Sequence, residues 1–401
     1  MHVGMATGFA NHLCINDAQF VQEEMKQILF GESLGFESVW ITEHHFSDYS
    51  VAPSPVQYLT WLAGKTKRMR LGTSVIVVPW HDPVRIAEEI SVLDHLSDGR
   101  ALIGFGRGLG RMEYEGFRVD QSKAREIFDE AVPIVLKAME SGYIESDGKF
   151  FKIPRRELRP TPMRSLQGRA FIAAGTDASM IAGARMGLGR LYLGQPNVSD
   201  AARAAKESQE AQPFNPFAPA GAAERKVEKP LPNGTFAPDG PWDRAWKESF
   251  PNVPPTAPFV LNLVIINDSR DKAEELARHH SEINFKWIAR NYSNTESFEN
   301  LKGYEQYKQL NMTQEQVNEA AKFAYTSTIY GTPQDVLEQM ERSLRDLNPQ
   351  GFAPTLWMGG MPHEDCMRAV KLFAEKCLPE VRSWRGATTT IDDAPFIKSA
   401  A

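Results

Sequence analysis

Residues 70–108 read RLGTSVIVVPWHDPVRIAEEISVLDHLSDGRALIGFGRG, and this stretch decides the fold. An apolar run, Arg70–Val78, gives way to Asp82-Pro83, which opens a helix with proline in its first turn. Apolar residues recur at helical spacing through Val84–Leu96, Ser97-Asp98-Gly99 stops the helix, and a second apolar run follows at Ala101–Gly106. Strand, helix and strand in that order predict two parallel strands joined by a crossover.

The same alternation extends in both directions. Further apolar runs lie at Met1–Thr7, Ser38–Thr42, Ala170–Ala174, Arg190–Leu193, Phe259–Ile266 and Thr355–Met358, with helical patterns at Ala18–Phe30, Ser54–Lys65, Lys123–Met139 and Ala178–Met186. Eight such units predict an α/β protein, a closed (β/α)8 TIM barrel, with an open doubly wound sheet as the alternative. Residues 1–385 read as one barrel domain with a long insertion in its second half at about 195–258, rich in proline and alanine. The insertion reads as a lid over a pocket or as a disordered or oligomer-contacting excursion, and 386–401 as a loosely ordered C-terminal tail.

Composition narrows the function classes. Of 401 residues, 51 are acidic and 45 basic, so the net charge of −6 creates no field that attracts a polyanion, and nucleic acid is not an expected partner. A hydrophobic share of 42% is enough for a large core. Cys14, Cys366 and Cys377 form no C-x-x-C pair, which argues against a disulfide framework or a thiolate zinc site. Cys366 and Cys377 read instead as small fillers of one buried helix face. Neither a membrane-length apolar stretch nor a secretory leader pattern is visible, so the expected location is the cytoplasm, without membrane association.

Three segments can carry chemistry. In Ser38–Phe46, period-two alternation sends Val39 and Ile41 to one face and Trp40, Thr42 and His44 to the other. With the β-branched pair toward the helices, His44 faces the lumen at the carboxyl end of its strand, where barrel active sites form. Its imidazole can exchange a proton near neutral pH; the alternative is a loop histidine bonded to a backbone carbonyl. Glycines 104, 106 and 108 let a flat ring approach the backbone closely, and Arg107 is either an anion ligand or a solvated loop cation. In Phe171–Ser179 a strand runs through Gly175 into a helix whose free N–H groups, with Thr176 and Ser179, form an anion cradle or a plain cap. His81-Asp82 reads as a helix-starting turn, His279-His280 as surface residues, His363 as a helix-start residue, and Arg155, Arg156, Arg159 and Arg164 as a solvated loop.

Glu43-His44-His45-Phe46, Gly72 to Pro79, Asp82-Pro83-Val84-Arg85, Leu93 to Arg100 and Gly104 to Leu109 together resemble the bacterial luciferase-like flavin monooxygenases. The resemblance covers residues 1 to about 195 and returns at Ile329 to Pro333 and Met361 to Pro379. It implies a two-component monooxygenase: a separate NAD(P)H:flavin reductase delivers reduced FMN (FMNH2), and O2 then forms a flavin C4a-hydroperoxide that oxygenates a small organic substrate. His44 matches the histidine beside the reactive edge of the flavin. Ser74 and Val75 match residues along the ring, joined in several relatives by a cis peptide, and Gly106 matches the residue under it. Arg107, Leu109, Thr176 and Ser179 match the phosphate ligands. Luciferase proper has a cysteine where this chain has Gly106, a departure from the light-emitting pattern. The resemblance also implies a homo-oligomer. A hydride-transferring F420-dependent oxidoreductase and a non-catalytic flavin-binding protein are the alternatives, and a metal site is the weakest rival, since His44 and His45 point to opposite faces.

Overall fold

A computed structural model describes residues 1–194, 240–292, 304, 311–387 and 391–392. Its strands are β1 (His2–Val3), β2 (Met5–Thr7), β3 (Ser38–Ile41), β4 (Arg70–Thr73), β5 (Ile76–Val77), β6 (Ala101–Gly106), β7 (Tyr143–Asp147), β8 (Lys152–Glu157), β9 (Ala170–Ala173), β10 (Gly189–Gly194), β11 (Phe259–Asn262), β12 (Val264–Ile266), β13 (Ile329–Gly331) and β14 (Gly351–Phe352). Hydrogen-bonded neighbours follow the path β1-β14-β11-β10-β9-β6-β4-β3-β2. Because β1 and β2 are consecutive pieces of one N-terminal stretch, the path returns to its start and a parallel barrel closes. The seam is held by backbone bonds from Gly4 N–H to Phe352 O at 2.8 Å and from Ala6 N–H to Pro354 O at 3.0 Å. Glycine is required at position 4, since a Cβ there would lie 2.8 Å from the Ser38 carbonyl oxygen.

Helices α1 (Asp17–Leu34), α2 (Pro55–Ala63), α3 (Pro83–Leu96), α4 (Arg111–Phe117), α5 (Ala124–Ser141) and α6 (Asp177–Arg185) link the first strands. Their starts follow the capping chemistry read from the sequence: Asp82 accepts from the Val84 N–H, and Pro83 occupies the first turn of α3. Strand alternation separates two apolar layers. Val39, Ile41, Leu71, Ile103 and Ile172 pack against the helices, whereas Trp40, Leu102, Phe171, Leu191 and Phe259 fill the lumen. Trp40 lies 5.0 Å from Phe259 and 5.6 Å from Phe171 between ring centroids, so the lumen is a packed core rather than a channel. Ile391 is fully buried in this lumen cluster, and Asp392 pairs with Arg70.

The structure corrects several details of the sequence reading. The eighth barrel strand is Gly351–Phe352, not Thr355–Met358, because Pro354 interrupts the ladder and Thr355 keeps only a single bridge to Leu263. The run at Phe259–Ile266 splits at Leu263: β11 stays in the barrel while β12 leaves to pair with β13. The run at Arg70–Val78 breaks at a cis Ser74–Val75 peptide. Of the arginine cluster, Arg155, Arg156 and Arg159 are exposed, whereas Arg164 is buried and donates to Gly99 O at 3.0 Å. His280 lies on the apolar face of the helix Arg270–Tyr292 and is 3% exposed, not a surface residue; burial pushes its imidazole down to about 4. Cys366 and Cys377 are both buried, as read. The 195–258 insertion lies over 195–239 outside the described residues; beyond it, the helix Pro241–Ser249 packs Trp242 and Trp246 against Met180 and Ala184 of α6.

The segment Leu93 to Arg100 is a lock at the amino end of the barrel. Asp94, fully buried, receives Arg169 Nη1 at 2.8 Å and Nη2 at 3.0 Å, and Arg169 also donates to the carbonyls of Ala101, Arg164 and Ser165. Arg100 donates to the Ala63, Thr66, Met69 and Ser97 carbonyls, tying α2, α3 and β4 together. Removing one partner of a buried, hydrogen-bonded pair strands the other charge. Asp94→Ala is expected to lower the unfolding free energy by about 3–5 kcal/mol in denaturant titrations, and a loss under about 1 kcal/mol would show that the pair is not structural.

Candidate active site

A cavity of about 390 Å³ opens at the carboxyl ends of the barrel strands. Thr7 follows from β2, Thr42 and His44 from β3, Ser74 and Val75 from β4, and Ala173 to Gly175 from β9. This is the position at which barrel strands deliver side chains to a common centre. Asn284, Ile288 and Tyr292 of the helix Arg270–Tyr292 form the outer wall, while Leu191, Leu261, Leu263, Trp357 and Met358 make the far end apolar.

His44 is fixed by a residue that sequence reading missed. Its Nδ1 lies 3.0 Å from Glu113 Oε1, and the same oxygen accepts the His45 N–H at 2.9 Å. Glu113, on α4, is fully buried. Because Glu113 Oε1 already accepts the His45 N–H, Nδ1–H donates to it, which turns Nε2 toward the cavity, 3.4 Å from the Tyr292 hydroxyl. Tyr49 packs edge-on at 4.8 Å between centroids, and burial pushes its phenol up to about 12, which keeps it neutral. His45 turns away, as its alternation requires, to contact Phe117 and Trp80. Among the described residues, no cluster of three or more metal-binding side chains occurs.

Glu43 anchors the loop that carries His44. Its Oε1 accepts from His81 Nε2 at 2.6 Å and contacts His45 Nε2 at 3.2 Å, while its Oε2 accepts the Val77 N–H at 2.8 Å. Burial acts to raise its carboxyl, but the bonds from His45, His81 and Val77 together hold it below the usual range. Burial likewise acts to lower His81, and Glu43 outweighs it, holding the imidazole above its usual value. His81 and Asp82 therefore have separate tasks, one clasping Glu43 and the other capping α3.

The remaining sequence-selected residues lie around this cavity rather than in its lining. Gly106 sits against Val75, whose Cγ2 would be 2.3 Å from an added Cβ, so a side chain there displaces Val75. The Arg107 guanidinium lies 4.8 Å from the Tyr304 ring centroid, and Leu109 packs with Trp80, Tyr114 and Tyr304. Thr176 caps α6: its Oγ1 accepts the Ser179 N–H at 3.2 Å and lies 3.0 Å from Ser179 Oγ. Arg125 of α5, unmarked in the sequence, reaches this helix start, donating to Ser179 Oγ at 2.9 Å and Ala178 O at 2.6 Å. The structure shows the cap, next to the Ala173–Gly175 rim of the cavity. Ser74 Oγ and Thr42 Oγ1 are buried polar atoms of the lining without a hydrogen-bond partner among the described residues, as expected of a surface shaped for a polar ring system.

Comparisons with known proteins bear on these residues. The profile of the luciferase-like monooxygenase family matches residues 1–216. The alkanal monooxygenase alpha chain of the Kryptophanaron alfredi symbiont is 31% identical over 157 residues, covering 39% of this chain and 44% of that one. The oxygenase component of the flavin-dependent trigonelline monooxygenase of Acinetobacter baylyi is 31% identical over 158 residues, with 39% and 44% covered. The matched part spans less than half the length of these relatives. Among solved structures, monooxygenase RslO1 from Streptomyces bottropensis superposes with a TM-score of 0.68 at 21% identity, covering 95% of this chain and 99% of that one, which shows the shared fold. No helix among the described residues is long and apolar enough to cross a membrane.

The Glu43–His81 clasp has a defined pH signature. The share from Glu43, whose carboxyl is lowered, is present above about pH 4.5 and is lost as pH falls through the lowered value. The share from His81, which is raised, is complete below about pH 6.5 and is lost as pH rises through the raised value. His81→Gln is therefore expected to cost most thermal stability between about pH 4.5 and about pH 6.5 and progressively less as pH rises through the raised His81 value; a pH-independent cost would contradict the clasp.

Proposed function

The chain belongs to the luciferase-like monooxygenase family, and on that premise we propose that it is the oxygenase of a two-component system that takes reduced FMN from a separate NAD(P)H:flavin reductase and uses O2 to oxygenate a small organic substrate. The observation that carries this reading is a single cavity in which the free Nε2 side of a clamped His44, the Ser74–Val75 turn and the rim leading to the α6 N-terminus meet. When bound, the reduced flavin supplies the electrons that activate dioxygen.

The chain's own residues have distinct tasks in this reading. Ser74 and Val75 would lie along the flavin ring and Gly106 under it, the glycine leaving Val75 its place. Thr176 and Ser179, with the N–H groups of α6, receive the phosphate; Arg107 and Leu109 support it from the loop after β6, and Arg125 adds a positive charge at the same helix start. His44 holds or releases a proton at Nε2, with Glu113 maintaining the tautomer. Ile288, Tyr292 and Trp357 exclude water, which reduced flavin and oxygen chemistry requires. A side chain at position 106 would displace Val75, and glycine here departs from the cysteine of the light-emitting pattern. The enzyme acts as a homo-oligomer in the cytoplasm.

His44→Ala is expected to leave FMN affinity within about threefold while lowering product formed per reduced FMN by at least about tenfold. Product assays alongside an oxygen electrode measure both; unchanged coupling would refute the role of His44, and turnover with F420 without oxygen uptake would replace the oxygenase with a hydride-transfer enzyme.

A further inference from the structure

Glu24, on α1, is a buried carboxyl that the site described above does not use. It is 2% exposed, and among the described residues no cation pairs with it. Both of its hydrogen-bond partners line the large cavity: Thr7 Oγ1 is 2.5 Å from its Oε2, and the Trp357 Nε1–H donates to its Oε1 at 2.8 Å. Glu24 also borders a second cavity, of about 200 Å³, which shares Ala10, Trp357 and Met358 with the first. The carboxyl thus stands in the partition between two compartments.

The groups facing Glu24 are few. Glu23 is its neighbour on α1, and Gln27, one turn on, bonds His363 Nδ1 at 3.1 Å. His12 comes from the loop after β2 and Cys366 from the helix His363–Lys376. Burial pushes His12 down to about 4 and raises Cys366 above its usual value, so both are neutral at pH 7. Among the described residues, no lysine or arginine lines either cavity. Burial pushes Glu24 up to about 7, against the opposing bonds from Thr7 and Trp357, so its proton is exchangeable at neutral pH.

We propose that Glu24 is a positioning residue of the large cavity, acting through Thr7 and Trp357, and that its proton exchange with the smaller polar compartment switches the apolar end of the cavity between a neutral and a negatively charged wall. Protonated, Glu24 leaves that end uncharged. Ionised, it places an unscreened negative charge behind Thr7 and Trp357, where low dielectric makes it felt. The cavity therefore takes uncharged organic ligands at any pH near neutrality and rejects carboxylates, sulfonates and phosphates as pH rises. That this ligand is the oxygenation substrate rests on the function proposed above; the titration itself does not.

The test uses the full chain without flavin, and a matched pair of probes, acetylnaphthalene (uncharged) and naphthoate (anionic), with binding followed by quenching of tryptophan emission. Between about pH 6 and about pH 8, naphthoate affinity is expected to fall roughly tenfold while acetylnaphthalene affinity stays level. Glu24→Gln is expected to retain acetylnaphthalene binding and remove that fall, and repeating the comparison with His44→Gln in both chains takes the imidazole of the lining out of the readout. Trp357→Phe keeps the carboxyl but deletes a bond to its charged form, and is expected to move the midpoint of the fall upward; this variant decides the matter if Glu24→Gln does not fold. Equal slopes in wild type and Glu24→Gln, an unmoved midpoint in Trp357→Phe, or failure of acetylnaphthalene to bind would each overturn the proposal. Because neither flavin nor oxygen takes part, failure here leaves the oxygenase reading standing, and failure of oxygenation leaves the Glu24 switch standing.

Discussion

One buried carboxylate sets the chemistry of this cavity. Glu113 accepts two hydrogen bonds on a single oxygen, from the His44 ring and from the His45 backbone, and so fixes both the direction of the imidazole and the nitrogen that carries its proton. Tyr49 and Tyr292 pack around the ring, but neither sets which nitrogen faces α4. Glu113 in turn depends on α4, which begins at Gly110 directly after the glycine-rich turn following β6. The same turn thus serves the histidine through Glu113 and, through Gly106 and Val75, shapes one wall of the cavity.

The barrel divides scaffold from site along its axis. At the amino end, Asp94 with Arg169 and Arg100 with four carbonyls close the bottom, and Trp40, Phe171 and Phe259 fill the lumen. At the carboxyl end Thr7, Gly8, Thr42 and Ser74 follow the lumen layer on their strands, and space opens. Short sequence segments that resemble one family therefore carry two kinds of constraint. Leu93 to Arg100 is a structural lock, whereas Glu43 to Phe46 is a loop that carries His44 into the cavity and is held by a second carboxylate, Glu43.

How much of this was legible follows from range in sequence. Strand alternation placed His44 in the lumen and Val39 and Ile41 outside, because period-two geometry is local. Helix starts at Pro83 and Asp177 were readable for the same reason. Glu113 and Arg125 were not: each lies in an ordinary charged helical pattern and acts on a partner 69 or 54 residues away, which no local pattern encodes. Glu24 was hidden likewise, since one acidic residue on an amphipathic helix looks solvated until Trp357 arrives from 333 residues away. The eighth strand was misplaced because Gly351–Phe352 is too short to show alternation, while the apolar residues at Leu356 to Met358 look strand-like yet serve as cavity wall and core.

The measurement that bears most directly on the whole account is the tautomer of His44. Nitrogen NMR of histidine-labelled protein, with the His44 signal assigned by loss in His44→Gln, is expected to show the ring proton at Nδ1 in the wild type and a redistributed tautomer in Glu113→Ala. A wild-type ring protonated at Nε2 and not at Nδ1, or a signal indifferent to loss of Glu113, would contradict the claim that this carboxylate fixes the proton at Nδ1 and turns Nε2 to the cavity.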